Sequence, residues 1–328
     1  MPRVAILFTG GTISMGFDPA AGGNVPALDG AAILARTPGL ADIAEVVPTD
    51  RGRTPASHFS FDDVIAIGNA IDEALADPAT DGVVVVQGTD TIEETSFAWD
   101  LVVRSPKPVI VTGAMRASHE DGFDGPDNLR AAVAAAISPF LVDAGVLVSL
   151  AGTLEAADDV TKTHTSAFTT FQSPNGGSLG RIVDGAVVLD RRRGPRRSLR
   201  GRPTGGAHVD LVTAGIDTGG ALLDAAVAAG AAGIVVAATG AGNTHPGLLA
   251  AAERAMHAGL PVVLASRCIA GGVSTTYAFP GGGATWVRAG AIPAGTLCAV
   301  KARVALALGI SAGLLRDDLA ALLADPLP

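Results

Sequence analysis

The chain has 328 residues, 48% of them hydrophobic and 17% charged, a composition that excludes extended disorder and, at roughly 150 residues per domain, points to two domains. A formal net charge of −9 and only 4% aromatic residues, with a single tyrosine, Tyr277, argue against nucleic-acid and membrane-surface roles, because such a field repels phosphate groups and aromatics for stacking bases are scarce. Cys268 and Cys298 are too few for a disulfide framework or a thiolate zinc site, and both are expected to be buried thiols.

Residues 4–8 form an apolar run after Met1-Pro2-Arg3. The run is too short for a signal peptide and reads as a first strand, so a cytoplasmic protein is expected. No stretch reaches 18 consecutive apolar residues, and no membrane span is expected. Residues 62–76 carry a helical apolar period, with Ser60 and Asp63 as a capping box. Strands are expected at 83–86, 109–112 and 146–150, and Thr91-Ile-Glu-Glu94 reads as a second capping box ahead of Phe97, Leu101 and Val102. This alternation predicts an α/β fold: a larger N-terminal domain, residues 1–189, with a mostly parallel sheet and flanking helices.

Residues 190–207 change character. Arg191, Arg192, Arg193, Arg196, Arg197, Arg200 and Arg202 alternate with glycine and proline, which reads as an exposed, solvated interdomain linker. Beyond it, residues 208–328 predict a smaller C-terminal α/β domain, with strands at 209–213, 234–238 and 262–265 and helices at 221–229 and 248–258.

Common chemical signatures are missing. There is no GxxxxGK[ST], no GxGxxG after a predicted strand and no HExxH. What stands out is Thr9-Gly10-Gly11-Thr12-Ile13 directly after the first strand, at the end where open α/β sheets bind ligands. Its glycines free backbone amides beside the Thr12 hydroxyl, pairing a nucleophile with donors for an oxyanion. Gln87-Gly88-Thr89-Asp90-Thr91 repeats the arrangement after another strand, where Thr91 reads as a helix cap. In Asp158-Asp-Val-Thr-Lys-Thr-His164, Lys162 is one of only three lysines in an arginine-dominated chain. Lysine can give up its proton when desolvated or near other cations and arginine cannot, so Lys162 is a candidate general base.

Together, TGGTI, GTDT, DVTK and the intervening Gly113-Ala-Met-Arg116, in this order, resemble the bacterial-type L-asparaginase family. The likeness extends to Asp124-Gly-Pro-Asp-Asn128, Gly242-Asn243, Ser266-Arg267 and Lys301-Ala-Arg303. It implies a two-domain α/β amidohydrolase, usually a tetramer of two intimate dimers, that converts asparagine to aspartate and ammonia without metal or organic cofactor. It implies Thr12 as the nucleophile that forms an acyl-enzyme, and Thr89, Lys162 and Asp90 as a second triad. It also implies a binding site of Gly11, Ser57, His58, Gly88, Thr89 and Asp90, with Asn243 from a neighbouring subunit. Asp90 would hold the substrate's α-ammonium and Ser57 its α-carboxylate.

The chain departs from the family in three places. The loop after the first strand, where the family usually has a tyrosine, reads Gly23-Asn24-Val25-Pro26; His58 stands where a glutamine or acid is common; and Ser274 to Gly281 replaces the segment that carries a glutamate in some members. Tyr277 is expected to supply the missing phenol to the Thr12 side of the pocket, against the alternative of a buried packing tyrosine. Two other functions stay open: the glutaminase subunit of a tRNA-dependent amidotransferase, which carries an extra N-terminal region, and a non-catalytic amino-acid-binding regulatory protein.

Overall fold

A computed structural model describes residues 1–326; the last two residues of the predicted C-terminal domain, Leu327 and Pro328, lie outside the described residues. The chain divides into two compact units, one ending at Arg196 and the other beginning at Arg197.

In chain order the first unit contains β1 (Arg3–Phe8), β2 (Met15–Asp18), β3 (Gly23–Pro26), α1 (Gly30–Ala35), β4 (Glu45–Asp50), α2 (Phe61–Ala76), β5 (Gly82–Val86), α3 (Ile92–Val102), β6 (Val109–Thr112), α4 (Gly125–Ala136), β7 (Val146–Leu150), β8 (Thr153–Ala156), β9 (Thr161–Lys162), β10 (Phe171–Gln172), β11 (Gly180–Val183) and β12 (Ala186–Leu189). Eight of these strands form one sheet, in the order β12-β11-β8-β7-β6-β5-β1-β4. The pairs from β4 to β7 are parallel, whereas β8, β11 and β12 add an antiparallel edge.

The central strands are buried along their whole length, which is why β5 reads Val-Val-Val-Val rather than alternating. Helix α2 begins with the expected capping box: Ser60 and Asp63 exchange side-chain and backbone hydrogen bonds, and the Ser60 contacts hold the Asp63 carboxyl below its ordinary pKa. Trp99 on α3 is fully buried and donates its indole N–H to the Val64 carbonyl on α2 at 2.9 Å. The β7–β8 connection is a two-residue turn, Ala151-Gly152, with both residues at positive φ, the geometry that matches strand twist in a tight hairpin.

The second unit contains β13 (Val209–Thr213), α5 (Ala221–Ala228), β14 (Gly233–Ala238), α6 (Pro246–His257), β15 (Val262–Ser266), α7 (Gly283–Ala289), β16 (Ile292–Cys298), α8 (Ala299–Ser311) and α9 (Arg316–Leu323). Its four strands run parallel in sequence order. Its core includes Trp286, Leu248, Leu264 and Val236. Strand β16 is absent from the sequence expectations, because Pro293 and Gly295 interrupt its apolar pattern.

Three local expectations are corrected. Thr91 lies at the N-terminus of α3 but makes no side-chain cap; its hydroxyl instead donates to the Ala56 carbonyl at 3.1 Å. Neither cysteine is buried: Cys268 is exposed and Cys298 half-buried. The arginine-rich stretch, in which the two units divide, is solvated only in part: Arg192, Arg200 and Arg202 are exposed, but others are not. The side chains of Arg193 and Arg197 are each only 5% exposed, Arg193 binding Asp100 and Asp158 and Arg197 binding Asp325. Burial opposes the Arg193 charge, but the two carboxylates outweigh it and raise its pKa further. Composition cannot reveal this, since the partners lie as far as 128 residues away in sequence.

Candidate active site

The site is built from loops at the carboxyl ends of β1 and β5. Thr9, just past β1, donates both its amide and its hydroxyl to the Val86 carbonyl at the end of β5, at 2.9 and 3.1 Å. Gly10 and Gly11 follow at φ +111° and +94°, and Thr12 opens a single 3-10 turn, Thr12–Ser14. That turn is closed by the Ser14 amide and hydroxyl, which donate to the Gly11 carbonyl at 2.9 and 2.7 Å. Thr12 itself is half-buried.

The loop after β5 packs directly onto this turn. A Cβ added to Gly11 would meet the Gly88 backbone, and one added to Gly88 would lie 3.0 Å from the Ala56 methyl. Ser57 and His58 complete the short turn that begins at Ala56, and both are exposed. Gly11, Gly88 and Ala56 thus bring the segments carrying Thr12, Thr89-Asp90 and Ser57-His58 to one place.

The third segment adds the amine. Lys162 Nζ lies 3.0 Å from the Thr89 hydroxyl oxygen and 3.0 Å from Asp90 Oδ1. Thr89 is buried, the Lys162 side chain is 16% exposed and that of Asp90 is 66% exposed. The amine therefore sits between a shielded hydroxyl and a carboxylate that still faces solvent. A neutral lysine here can accept the Thr89 proton, and Asp90 can balance the ammonium that results.

Several residues that hold the site stand in the quoted motifs but were given no role from sequence. Gln87 is fully buried; its side chain donates to the Gly88 carbonyl at 3.2 Å and accepts from the Thr95 hydroxyl at 3.0 Å, locking the end of β5 to α3. Asp124 accepts from the amides of Met115 and Arg116, and Asn128 bridges the Gly113 carbonyl and the Ala151 amide at 3.0 Å each. Asp124 and Asn128, the two ends of the Asp124-Gly-Pro-Asp-Asn128 motif, therefore shape the loop after β6. Gly113 in that loop lies against Thr89: an added Cβ would be 3.4 Å from its Cγ2 methyl. On β8, burial raises the pKa of Glu155, which accepts from the Ser173 hydroxyl at 2.6 Å.

The two remaining predicted residues belong to the second unit. Asn243 lies in a turn after β14, where Thr239 donates its amide and hydroxyl to the Asn243 carbonyl at 3.0 and 2.8 Å. Its side-chain oxygen is buried and has no hydrogen-bond partner among the described residues. Tyr277 is 46% exposed and tilted against Phe279, with ring centroids 5.8 Å apart, so it is not a buried packing tyrosine.

The amine of Lys162 thus lies within hydrogen-bond reach of a hydroxyl and a carboxylate near the strand ends of an α/β sheet, the set of groups that activation of a hydroxyl requires. Family models narrow the class. Residues 3–194 match the asparaginase N-terminal domain and residues 208–323 the glutaminase/asparaginase C-terminal domain. The chain is 36% identical to a probable L-asparaginase of Deinococcus radiodurans, over 97% of this chain and 96% of that protein. It is 33% identical to a probable periplasmic L-asparaginase of Haemophilus influenzae, over 95% and 89%. The crystal structure of a probable cytoplasmic L-asparaginase from Campylobacter jejuni superposes with a TM-score of 0.88 at 30% identity, covering 98% of this chain and 99% of that one. The chain belongs to the asparaginase family.

Proposed function

We propose that this protein hydrolyses L-asparagine to L-aspartate and ammonia. The observation that carries the reading is the position of Lys162 Nζ, 3.0 Å from both the Thr89 hydroxyl and the Asp90 carboxylate. Thr12 Oγ1 attacks the side-chain carboxamide carbon, the C–N bond breaks, and ammonia leaves with the hydroxyl's proton. Water then adds to the Thr12 ester, a proton returns to Thr12, and aspartate departs. Lys162 relays protons through Thr89, while backbone N–H groups beside Gly11 and Gly88 face the developing oxyanion.

A zwitterionic substrate needs an anion and several donors on opposite sides of one pocket. Asp90 takes the α-ammonium, Ser57 the α-carboxylate, and His58 lies next to them. In this reading Asn243 reaches the substrate from a neighbouring subunit of a homodimer or dimer of dimers. Tyr277, half-exposed in a loop, supplies the phenol that the Gly23–Pro26 hairpin strand lacks. We place the enzyme in the cytoplasm, as its Campylobacter jejuni relative is described. No helix among the described residues is long and apolar enough to cross a membrane.

The test is ammonia release by the purified protein from L-asparagine, L-glutamine and D-asparagine, measured beside binding of L-aspartate. Rapid release from L-asparagine is expected. Binding without release from any of the three overturns hydrolysis and favours a regulatory amino-acid-binding protein.

A further inference from the structure

Lys162 sits on a strand of only two residues, β9, which pairs with the equally short β10; this pair is separate from the eight-stranded sheet. The main sheet therefore does not fix the amine's position. Thr89 and Asp90, in contrast, lead straight into α3, which is packed into the core through Trp99, Phe97 and Leu101. A distance of 3.0 Å from Lys162 to Thr89 requires a tie between these two parts.

Arg193 makes that tie. One end of its guanidinium, Nη2, lies 2.6 Å from Asp100 Oδ2 and 2.8 Å from Asp158 Oδ1, while Nη1 lies 2.9 Å from Asp100 Oδ1. Asp100 is on α3, ten residues beyond Asp90 and fully buried as a side chain; Asp158 is four residues before Lys162. Nη1 also donates to the Ala144 carbonyl at 2.8 Å, so the guanidinium is held from a third direction. The neighbouring Asp159 closes the far side of the same segment, accepting from the Asn175 side chain and the Gly176 amide at 2.9 and 2.6 Å.

We propose that Arg193 is a positioning residue for the reaction, its fork holding the Lys162 segment against the helix that continues from Thr89 and Asp90. The proposal rests on the reading of Lys162 as the base. A planar guanidinium is suited to this because it presents several donors in a rigid fork, so two carboxylates can be gripped at once at defined angles. Proton transfer makes the grip matter, since misplacement by about 1 Å costs on the order of 10²-fold in rate.

Arg193→Met would leave the fully buried Asp100 carboxylate with only Arg196 and the Val146 amide, at 3.2 and 2.9 Å, and endanger the fold, so Asp158 is the better probe. In Asp158→Ala, kcat for asparagine is expected to fall about tenfold or more, while the Kd for L-aspartate stays within about twofold and circular dichroism is unchanged. Asp158→Asn keeps an oxygen acceptor for Arg193 and is expected to recover most of the lost kcat. A kcat in Asp158→Ala close to wild type, whatever happens to Tm, overturns the positioning role. So does a parallel loss of aspartate binding that Asp158→Asn fails to restore. Lys162→Met, assayed alongside, separates the two ideas: if it stays active, the base reading and the proposal both fall. If it is dead while Asp158→Ala is fully active, only the proposal falls.

Discussion

Gly11 and Gly88 meet backbone to backbone, so closely that a Cβ on Gly11 would lie 2.6 Å from the Gln87 carbonyl carbon and inside the Gly88 main chain. Gly11 also holds φ +94° and ψ −175°, a combination open essentially to glycine alone. The approach of the Thr12 turn to the Thr89-Asp90 loop therefore depends on two missing side chains.

Gly11→Ala should for this reason damage both stability and turnover. The backbone conformation costs roughly 1–3 kcal/mol and the clash a further ~1–3 kcal/mol. Urea unfolding should show a loss in that combined range, with asparagine hydrolysis largely abolished. Wild-type kcat in this variant would contradict the close approach.

Lys162→Met should eliminate hydrolysis while leaving circular dichroism unchanged, because the amine's hydrogen bonds run to the Thr89 hydroxyl and the Asp90 carboxylate rather than into the core. Lys162→Arg is the sharper variant. It keeps the positive charge but cannot take a proton, so a loss of about 10²-fold or more assigns the residue to proton transfer. Substantial activity with arginine would reassign it to electrostatics.

The two residues of the second unit can be tested by mixing and by deletion of one atom. If Asn243 serves a neighbouring subunit, co-refolded Lys162→Met and Asn243→Ala chains should regain activity that neither has alone, since some sites then hold both native residues. No recovery in mixed oligomers places Asn243 elsewhere. Tyr277→Phe removes only the phenol oxygen and should lower kcat; unchanged kcat and kcat/KM would remove Tyr277 from the reaction.

Glu155 makes a prediction for stability. Burial raises its folded pKa above the ordinary 4.5, so below that value both folded and unfolded states are protonated and no pH term arises. As pH climbs from there through the raised folded value, the unfolded state loses its proton first and stability falls. Glu155→Gln imitates the neutral acid and still accepts from Ser173. Its stability relative to wild type should grow as pH rises above the ordinary value and level off beyond the raised folded one, and a difference independent of pH would show that the carboxyl is not desolvated.

The amino-acid sequence by itself determined the α/β alternation and most central strands, and it singled out Thr89, Asp90 and Lys162, which the structure brings together. Buried parallel strands need unbroken β-branched runs, and Gly-Gly-Thr, Gly-Thr-Asp and the isolated Lys162 stand out against an arginine-rich background. The antiparallel edge β8, β11 and β12 was not legible, because short strands with turn residues between them carry little periodicity. Nor was the fate of the basic stretch: seven arginines between glycines and prolines look solvated until their partners are known. Tertiary structure decided where the Thr91 hydroxyl bonds, where Arg193 goes, and that Lys162 and Thr89, 73 residues apart in sequence, stand 3.0 Å apart. Such facts lie beyond local sequence because charge pairing and loop placement are settled by which distant segments the packed sheet brings together.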